Sequence, residues 1–173
     1  MINQKLIPGS SFPEITLPRV GGGDLKIGGK GKWQLIVVYR GRHCPLCKLY
    51  LNKLEDLLND FDKLGIEIIA ISSDSEEKAD ADMSEFSWGF DVGYNLKPYE
   101  MDILGLYISD PRSPEETDRK FPEPALFVIR PDGLIQIIDI SNSPVARTDL
   151  KDLPDSLKWI IDNDYPIRGT GKI

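Results

Sequence analysis

The sequence predicts an α/β fold, with a mixed central β-sheet flanked by helices on both faces. Three observations carry that expectation. Apolar runs at 33–39, 66–72 and 125–130 read as strands, and the first lacks alternation, as a strand covered on both faces should. The segment between the first two runs is amphipathic with a helical period. After the third, Pro131-Asp132-Gly133 makes a tight turn and 134–140 returns as its hairpin partner.

Residues 1–31 are rich in turn formers. Pro8-Gly9-Ser10-Ser11 and Gly21-Gly22-Gly23 bracket Phe12-Pro13-Glu14-Ile15-Thr16-Leu17-Pro18, and short strands near 14–17 and 24–27 fit a hairpin extension. Lys30-Gly31-Lys32 turns the chain into the first core strand. Beyond the cysteines, Cys47, Tyr50, Leu51, Leu54, Leu57, Leu58 and Phe61 recur at steps of three and four, which predicts one long helix stopped by Gly65. Ser73-Asp74-Ser75-Glu76-Glu77 carries N-cap signals for a helix ending near Trp88. A short strand at 92–94 and a weak helix at 98–106 follow. Asp110 to Lys120 is charged and contains Pro111 and Pro114, so it reads as an exposed loop. A last helix spans roughly 149–163, and Pro154 requires it to begin late, near Asp152. The tail at 165–173 is irregular.

A length of 173 residues favours one domain with a sizeable core. The formal net charge of −7 argues against general binding to nucleic acid or to an anionic membrane. The start of the chain has no apolar run of signal-peptide length, and no stretch approaches the roughly 18 apolar residues of a membrane helix. The expectation is a cytoplasmic protein.

Both cysteines and the single histidine fall in Tyr39-Arg40-Gly41-Arg42-His43-Cys44-Pro45-Leu46-Cys47, where a strand delivers Cys-x-x-Cys to the start of a helix. That placement points to a thiol redox site. A helix N-terminus offers free N–H groups and partial positive charge to a thiolate. Pro45 suits the first helical turn, where its missing N–H costs nothing. Arg40, Arg42 and His43 bring cationic or polarisable groups close in sequence. If the strand continued far enough, Arg40 and Arg42 would share the face opposite Tyr39 and Gly41. Two residues between the cysteines let the sulfurs close a disulfide across one helical turn, so one attacks and the other resolves. The plainer alternatives are two inert core cysteines or a structural zinc site, for which the ligands fall short of four. Arg40, Arg42 and His43 could equally be surface residues. Pro124, before the apolar strand, fits either a cis peptide in a tight turn or an ordinary trans proline opening a strand.

The chain resembles the peroxiredoxin-like branch, of alkyl hydroperoxide reductase/thiol-specific antioxidant type, of the thioredoxin-fold superfamily. The resemblance runs from about Pro8 to Asp164. It rests on the Pro8 to Pro18 segment, the Gly31-Lys32-Trp33 entry to the first core strand, Phe127-Val128-Ile129-Arg130-Pro131-Asp132-Gly133, and the Tyr39-Arg40-Gly41 approach to Cys44-Pro45-Leu46-Cys47. The ending Tyr165-Pro166-Ile167-Arg168-Gly169-Thr170 is similar to a subgroup bearing Y-R-G-x-x-C-P-x-C. Laid over the family's P-x-x-x-T-x-x-C motif, Cys47 falls on the peroxidatic cysteine, Cys44 on the threonine and Arg40 on the proline. The family's later active-site arginine falls on Pro124. The threonine hydroxyl and that arginine, which hold and polarise peroxide, are therefore absent as residue types. Thioredoxins instead attack with the first cysteine of C-x-x-C and place a cis-proline before the matching strand. On that likeness Cys44 is the nucleophile, exposed at the helix start. Cys47 resolves it from one turn deeper, and Pro124 is the cis-proline.

The resulting expectation is a thiol-disulfide oxidoreductase cycling Cys44 and Cys47 between dithiol and disulfide, with no cofactor or metal. Its partners would be a thioredoxin- or glutathione-type thiol donor and a disulfide or peroxide substrate, and a homodimer through edge strands or the N-terminal segment is compatible. The runner-up is a thiol-dependent peroxidase acting on hydrogen peroxide or alkyl hydroperoxides. A reading of another class is a redox-sensing interaction protein without turnover, working through the 110–120 loop or the tail.

Overall fold

The computed structural model of the chain describes residues 5–171. The first four residues of the N-terminal extension and the last two of the tail lie outside them. A hairpin of β1 (Ile15–Pro18) and β2 (Asp24–Ile27) comes first, paired antiparallel as the turn residues imply. Then follow β3 (Trp33–Val38), α1 (Pro45–Asp56), α2 (Leu58–Lys63), β4 (Ile66–Ile71), α3 (Glu76–Phe86), β5 (Asp91–Gly93) and α4 (Pro98–Ile103). The chain continues through β6 (Ile108–Ser109), β7 (Phe121–Pro122), β8 (Ala125–Ile129), β9 (Ile135–Ile140) and α5 (Leu153–Asp162).

Five strands form the central sheet in the order β5-β4-β3-β8-β9. The β3–β4 and β4–β5 pairs are parallel, whereas β8 runs antiparallel to both β3 and β9. The sheet is therefore mixed. Its central strands are largely apolar because both faces are covered, with polar residues such as Gln34, Glu67 and Asp139 as exceptions. Leu35, Val37, Ile68, Ala70, Leu126 and Val128 point into one cluster, with Leu51, Leu54, Phe61 and Leu157 from α1, α2 and α5. Ile36, Val38, Ile69, Ile71 and Phe127 point the other way, onto the β1–β2 hairpin and Met101 of α4. Successive residues of one strand thus serve opposite layers, the period-two rule of a pleated strand.

The helices and loops match the expectation at the last helix and depart from it in two places. The long helix expected after Cys47 is broken at Leu57, whose φ of −100° and ψ of 0° lie outside the helical region. Leu57 and Leu58 keep the apolar period and are packed on the same cluster, so hydrophobic spacing alone does not register the break. The last helix begins at Leu153, with Asp152 as N-cap and Pro154 in its first turn, where a proline is tolerated. The 110–120 segment is a loop, but its ends are closed by the β6–β7 pair, and Thr117 within it is buried. No helix among the described residues is long and apolar enough to cross a membrane.

Candidate active site

The site is built where β3 gives way to α1. The strand ends at Val38, and Tyr39 extends it by one backbone bond, donating its N–H to the Ile71 carbonyl at 3.0 Å. Gly41 then turns the chain at φ +124°. A β-carbon there would stand 2.5 Å from Oδ1 of Asp74, so both the backbone conformation and the space exclude a side chain. Asp74 is 2% exposed and accepts the Arg42 backbone N–H on Oδ2 at 2.7 Å. Burial pushes its carboxyl up to about 6, against the lowering effect of that N–H. A buried carboxylate from the end of β4 therefore fixes the loop that presents the cysteines.

Cys44 is the N-cap of α1, with extended φ and ψ of −103° and 99°, and Pro45 occupies the first turn. The Cys44 N–H donates to the Gly41 carbonyl at 3.1 Å. Cys44 and Cys47 are joined in a disulfide with their Cα atoms 5.3 Å apart. The Cys47 N–H, in the first turn of the helix, is shared between the Cys44 carbonyl at 3.1 Å and Sγ of Cys44 at 3.3 Å. Sγ of Cys44 thus already sits where a thiolate would be favoured. Cys44 is not exposed as expected: it retains 4% exposure and Cys47 none. The ordering of the two survives, but the loop folds over the first sulfur as well as the second.

The cationic neighbours are arranged differently from the sequence expectation. Because β3 ends at Val38, alternation does not reach Arg40 and Arg42, and they do not share a face. Arg40 forms a two-point ion pair with Glu123, Nε to Oε2 at 2.8 Å and Nη2 to Oε1 at 3.0 Å. Ser109 donates its hydroxyl to the same Glu123 Oε1 at 2.6 Å. Arg42 turns to α3, where Nη1 reaches Asp82 at 2.5 Å and Glu85 at 2.9 Å. His43 lies edge-on to Phe121, ring centroids 4.6 Å apart, and neither ring nitrogen has a hydrogen-bond partner. Burial, with the Arg40 and Lys78 charges, holds His43 below its ordinary value and keeps the imidazole neutral at neutral pH. Both arginines are thus neutralised and the histidine uncharged, which leaves the helix terminus as the main positive feature at Cys44.

Pro124 precedes β8, and its carbonyl accepts the Ser141 N–H at 3.0 Å. No peptide bond among the described residues is cis, so the cis-proline expectation is corrected: Pro124 is a trans proline opening a strand.

Sequence reasoning passed over Asp74, Asp82, Glu123 and Arg147. Glu123 had a signal, a lone carboxylate between two prolines ahead of a buried strand. Asp74 was legible only as a helix-capping residue. Arg147, in an ordinary polar loop, had none. Among the described residues no group of three or more His, Cys, Asp or Glu side chains is disposed to hold a metal.

Fold and site together define a thioredoxin-fold protein carrying a Cys-x-x-Cys disulfide at a helix start. The AhpC/TSA family model matches residues 8–138, well over half of the chain, and the chain belongs to that family. Alkyl hydroperoxide reductase C of Amphibacillus xylanus is 27% identical over 127 residues, covering 68% of this chain and 61% of that protein. Peroxiredoxin 2 of Sulfuracidifex metallicus is 26% identical over 123 residues, 64% of this chain and 50% of that one. The chain therefore spans less than two thirds of the length of either curated relative. Among solved structures, a peroxiredoxin-like protein from Aquifex aeolicus superposes with a TM-score of 0.77 at 15% identity, over 92% of this chain and 90% of that one. The reduced 2-Cys peroxiredoxin of Plasmodium vivax gives 0.76 at 14% identity, over 92% and 99%. These structural likenesses establish the fold.

Proposed function

We propose that the protein is a thiol-disulfide oxidoreductase in which Cys44 attacks and Cys47 resolves. The observation that carries this reading is the disulfide itself, closed across the first turn of α1 with the Cys47 N–H on the Cys44 sulfur. A thiol donor reduces the pair, and the pair then reduces a disulfide substrate through a mixed disulfide on Cys44. We further propose that residues 1–173 act as one thioredoxin-like domain in the cytoplasm, where a two-cysteine site of this kind is kept cycling. Pro45 sets the helix start. Pro124 shapes the groove beside the pair, and Arg40, Arg42 and His43 position the loop rather than charge it. Replacing Cys44 by Ser is expected to abolish reduction of an insulin-type disulfide. Cys47→Ser is expected to accumulate a mixed disulfide on Cys44 that mass spectrometry detects. Unchanged turnover in both variants would sink the reading.

One observation favours a second reading, a thiol-dependent peroxidase: the family itself, whose matched relatives are named alkyl hydroperoxide reductase and peroxiredoxin. Hydrogen peroxide or an alkyl hydroperoxide would then oxidise one cysteine to a sulfenic acid that the other resolves. Stopped-flow oxidation of the reduced protein separates the two. A rate no greater than that of a free thiol of the same pKa removes the peroxidase, and a rate far above it, retained in Cys44→Ser, assigns the attack to Cys47.

A further inference from the structure

A cleft far along the chain from the cysteines opens between α5 and the tail. Helix α5 ends at Asp162, and Asp164 takes a left-handed φ of +44°, a conformation that Asp tolerates better than most residues. The Tyr165 N–H then returns to the Ile160 carbonyl at 3.0 Å. The chain thus folds back and brings the Tyr165 ring to Trp159, centroids 5.1 Å apart and planes tilted by 57°. Asp152, Asp155, Ser156, Trp159 and Ile160 follow the spacing i, i+3, i+4, i+7, i+8, so they share one helix face. With Tyr165 they line a cleft of about 630 Å³, the size of a small-molecule site.

The walls of this cleft favour a cation. Trp159 is 54% exposed, so its ring is reachable from solvent. The negative face of an aromatic ring attracts cations, and indole does so most strongly. Tyr165 already has one from the chain itself. The Arg168 guanidinium carbon lies 5.9 Å from its centroid, and Nη1 lies 3.5 Å from its hydroxyl. Trp159 has no such partner among the described residues. The two carboxylates are free as well. Asp152 caps α5 without its side chain accepting a hydrogen bond. Lys158, three residues on from Asp155, pairs with Asp162 instead. Neither Asp152 nor Asp155 has a side-chain hydrogen bond or ion pair among the described residues.

We propose that this cleft binds a small organic cation carrying a guanidinium. A planar guanidinium stacks on an aromatic face while its N–H edge donates to carboxylates. It is also more weakly hydrated than an ammonium, so it gives up less on leaving water. Trp159 supplies the ring, Asp152 and Asp155 supply the acceptors, and Ile160 offers apolar surface to an alkyl stem. The net charge of −7 draws cations toward the protein. The site stands apart from the disulfide chemistry, and no step at Cys44 or Cys47 depends on it.

The test uses the full chain, with the indole N–H signals of its three tryptophans followed by NMR. Butylguanidinium is titrated in parallel with butylurea, its uncharged isostere. Butylguanidinium is expected to shift the Trp159 signal, which is identified by its loss in Trp159→Phe. It is expected to bind at least about tenfold tighter than butylurea, the scale of a cation–π contact with carboxylate support. Trp33 and the buried Trp88 are expected to keep their signals in place. Asp152→Asn combined with Asp155→Asn is expected to remove most of the preference, and added salt to weaken it. Equal binding of the two compounds, or none of either, overturns the proposal. A preference that survives loss of both carboxylates, or a shift at Trp33 or Trp88 without one at Trp159, overturns it equally. If the double variant does not fold, the comparison of the two compounds on the unmodified protein decides. A blocked arginine peptide, which places the same group within a chain, is expected to bind no tighter than butylguanidinium. A gain above about tenfold would make the cleft a docking surface for a protein segment and overturn the small-ligand proposal.

Discussion

The cysteine loop and the loop before α5 use the same kind of side chain to opposite ends. In the first, Arg40 and Arg42 reach Glu123, Asp82 and Glu85, with hydrogen bonds of 2.5–3.0 Å. In the second, beside Pro124 and Tyr50, Arg147 is half-buried, with both terminal nitrogens out of solvent and unpartnered. Nearness in sequence singled out the first two, and nothing singled out the third. The difference teaches that a guanidinium beside a thiol site is informative only once its carboxylates are counted. A paired one fixes geometry; an unpaired one is held by packing alone, here over the Tyr50 ring.

The comparison breaks first at Glu123. If the Arg40 flank is structural, Glu123→Ala leaves a part-buried guanidinium and the Ser109 hydroxyl without their acceptor. A loss of about 3 kcal/mol in unfolding free energy is expected by chemical denaturation. Replacing Arg40 and Glu123 together by Met should cost less than Glu123→Ala alone, since no charge is then stranded. A cost within about 0.5 kcal/mol for the single change, the range of an ordinary surface position, would mean that the pair does not hold the loop.

Gly41→Ala tests the same flank from the backbone. The added carbon meets Asp74 and demands a left-handed φ of alanine, so a loss of about 1–3 kcal/mol is expected in the same measurement. An unchanged midpoint would show that the loop does not depend on this close approach.

A subtler probe sharpens the comparison through pH. Asp74 has a folded value of about 6 against an ordinary 3.8. Between those values the folded state binds more protons than the unfolded one, so Asp74 makes the fold more stable as pH falls from about 6 toward 4 and less stable above. Asp118, held well below the carboxylate range by Arg119 and Lys78, works in the opposite sense at lower pH. The clean quantity is therefore the difference between the wild type and Asp74→Asn. The wild type should gain on the variant as pH drops through 6. A flat difference over that range would remove the coupling between Asp74 and folding.

Much of the architecture was legible because apolar strands covered on both faces leave little ambiguity. Residues 33–38 can only be a strand buried on both faces, Gly133 marks the β8–β9 turn, and Pro154 fixes where α5 can begin. The cysteine pair was legible for the same reason, since its place between a buried strand and an amphipathic segment leaves few alternatives. The surroundings of the pair were not. Where Arg40 and Arg42 point depends on β3 stopping at Val38. The state of Pro124 depends on neighbours brought in from far along the chain, with Tyr107 accepting the Glu123 N–H and Ser141 donating to Pro124. Arg147 acquires its meaning only from Tyr50, which another element delivers. Local spacing carries information about faces, and none about which distant carboxylate will arrive.

The small β6–β7 pair has a consequence for how the site could diversify. Ile108 and Ser109 are zipped to Pro122 and Phe121, so the intervening segment leaves and rejoins the body at a single closed neck. Phe121, at that neck, is the residue against which His43 rests. Lengthening a closed loop costs little entropy, but Lys78 reaches Thr117 and Asp118, and Arg119 reaches the Ser73 carbonyl. Variation that keeps these contacts is therefore confined to about 110–116, while the sheet and its disulfide stay as they are.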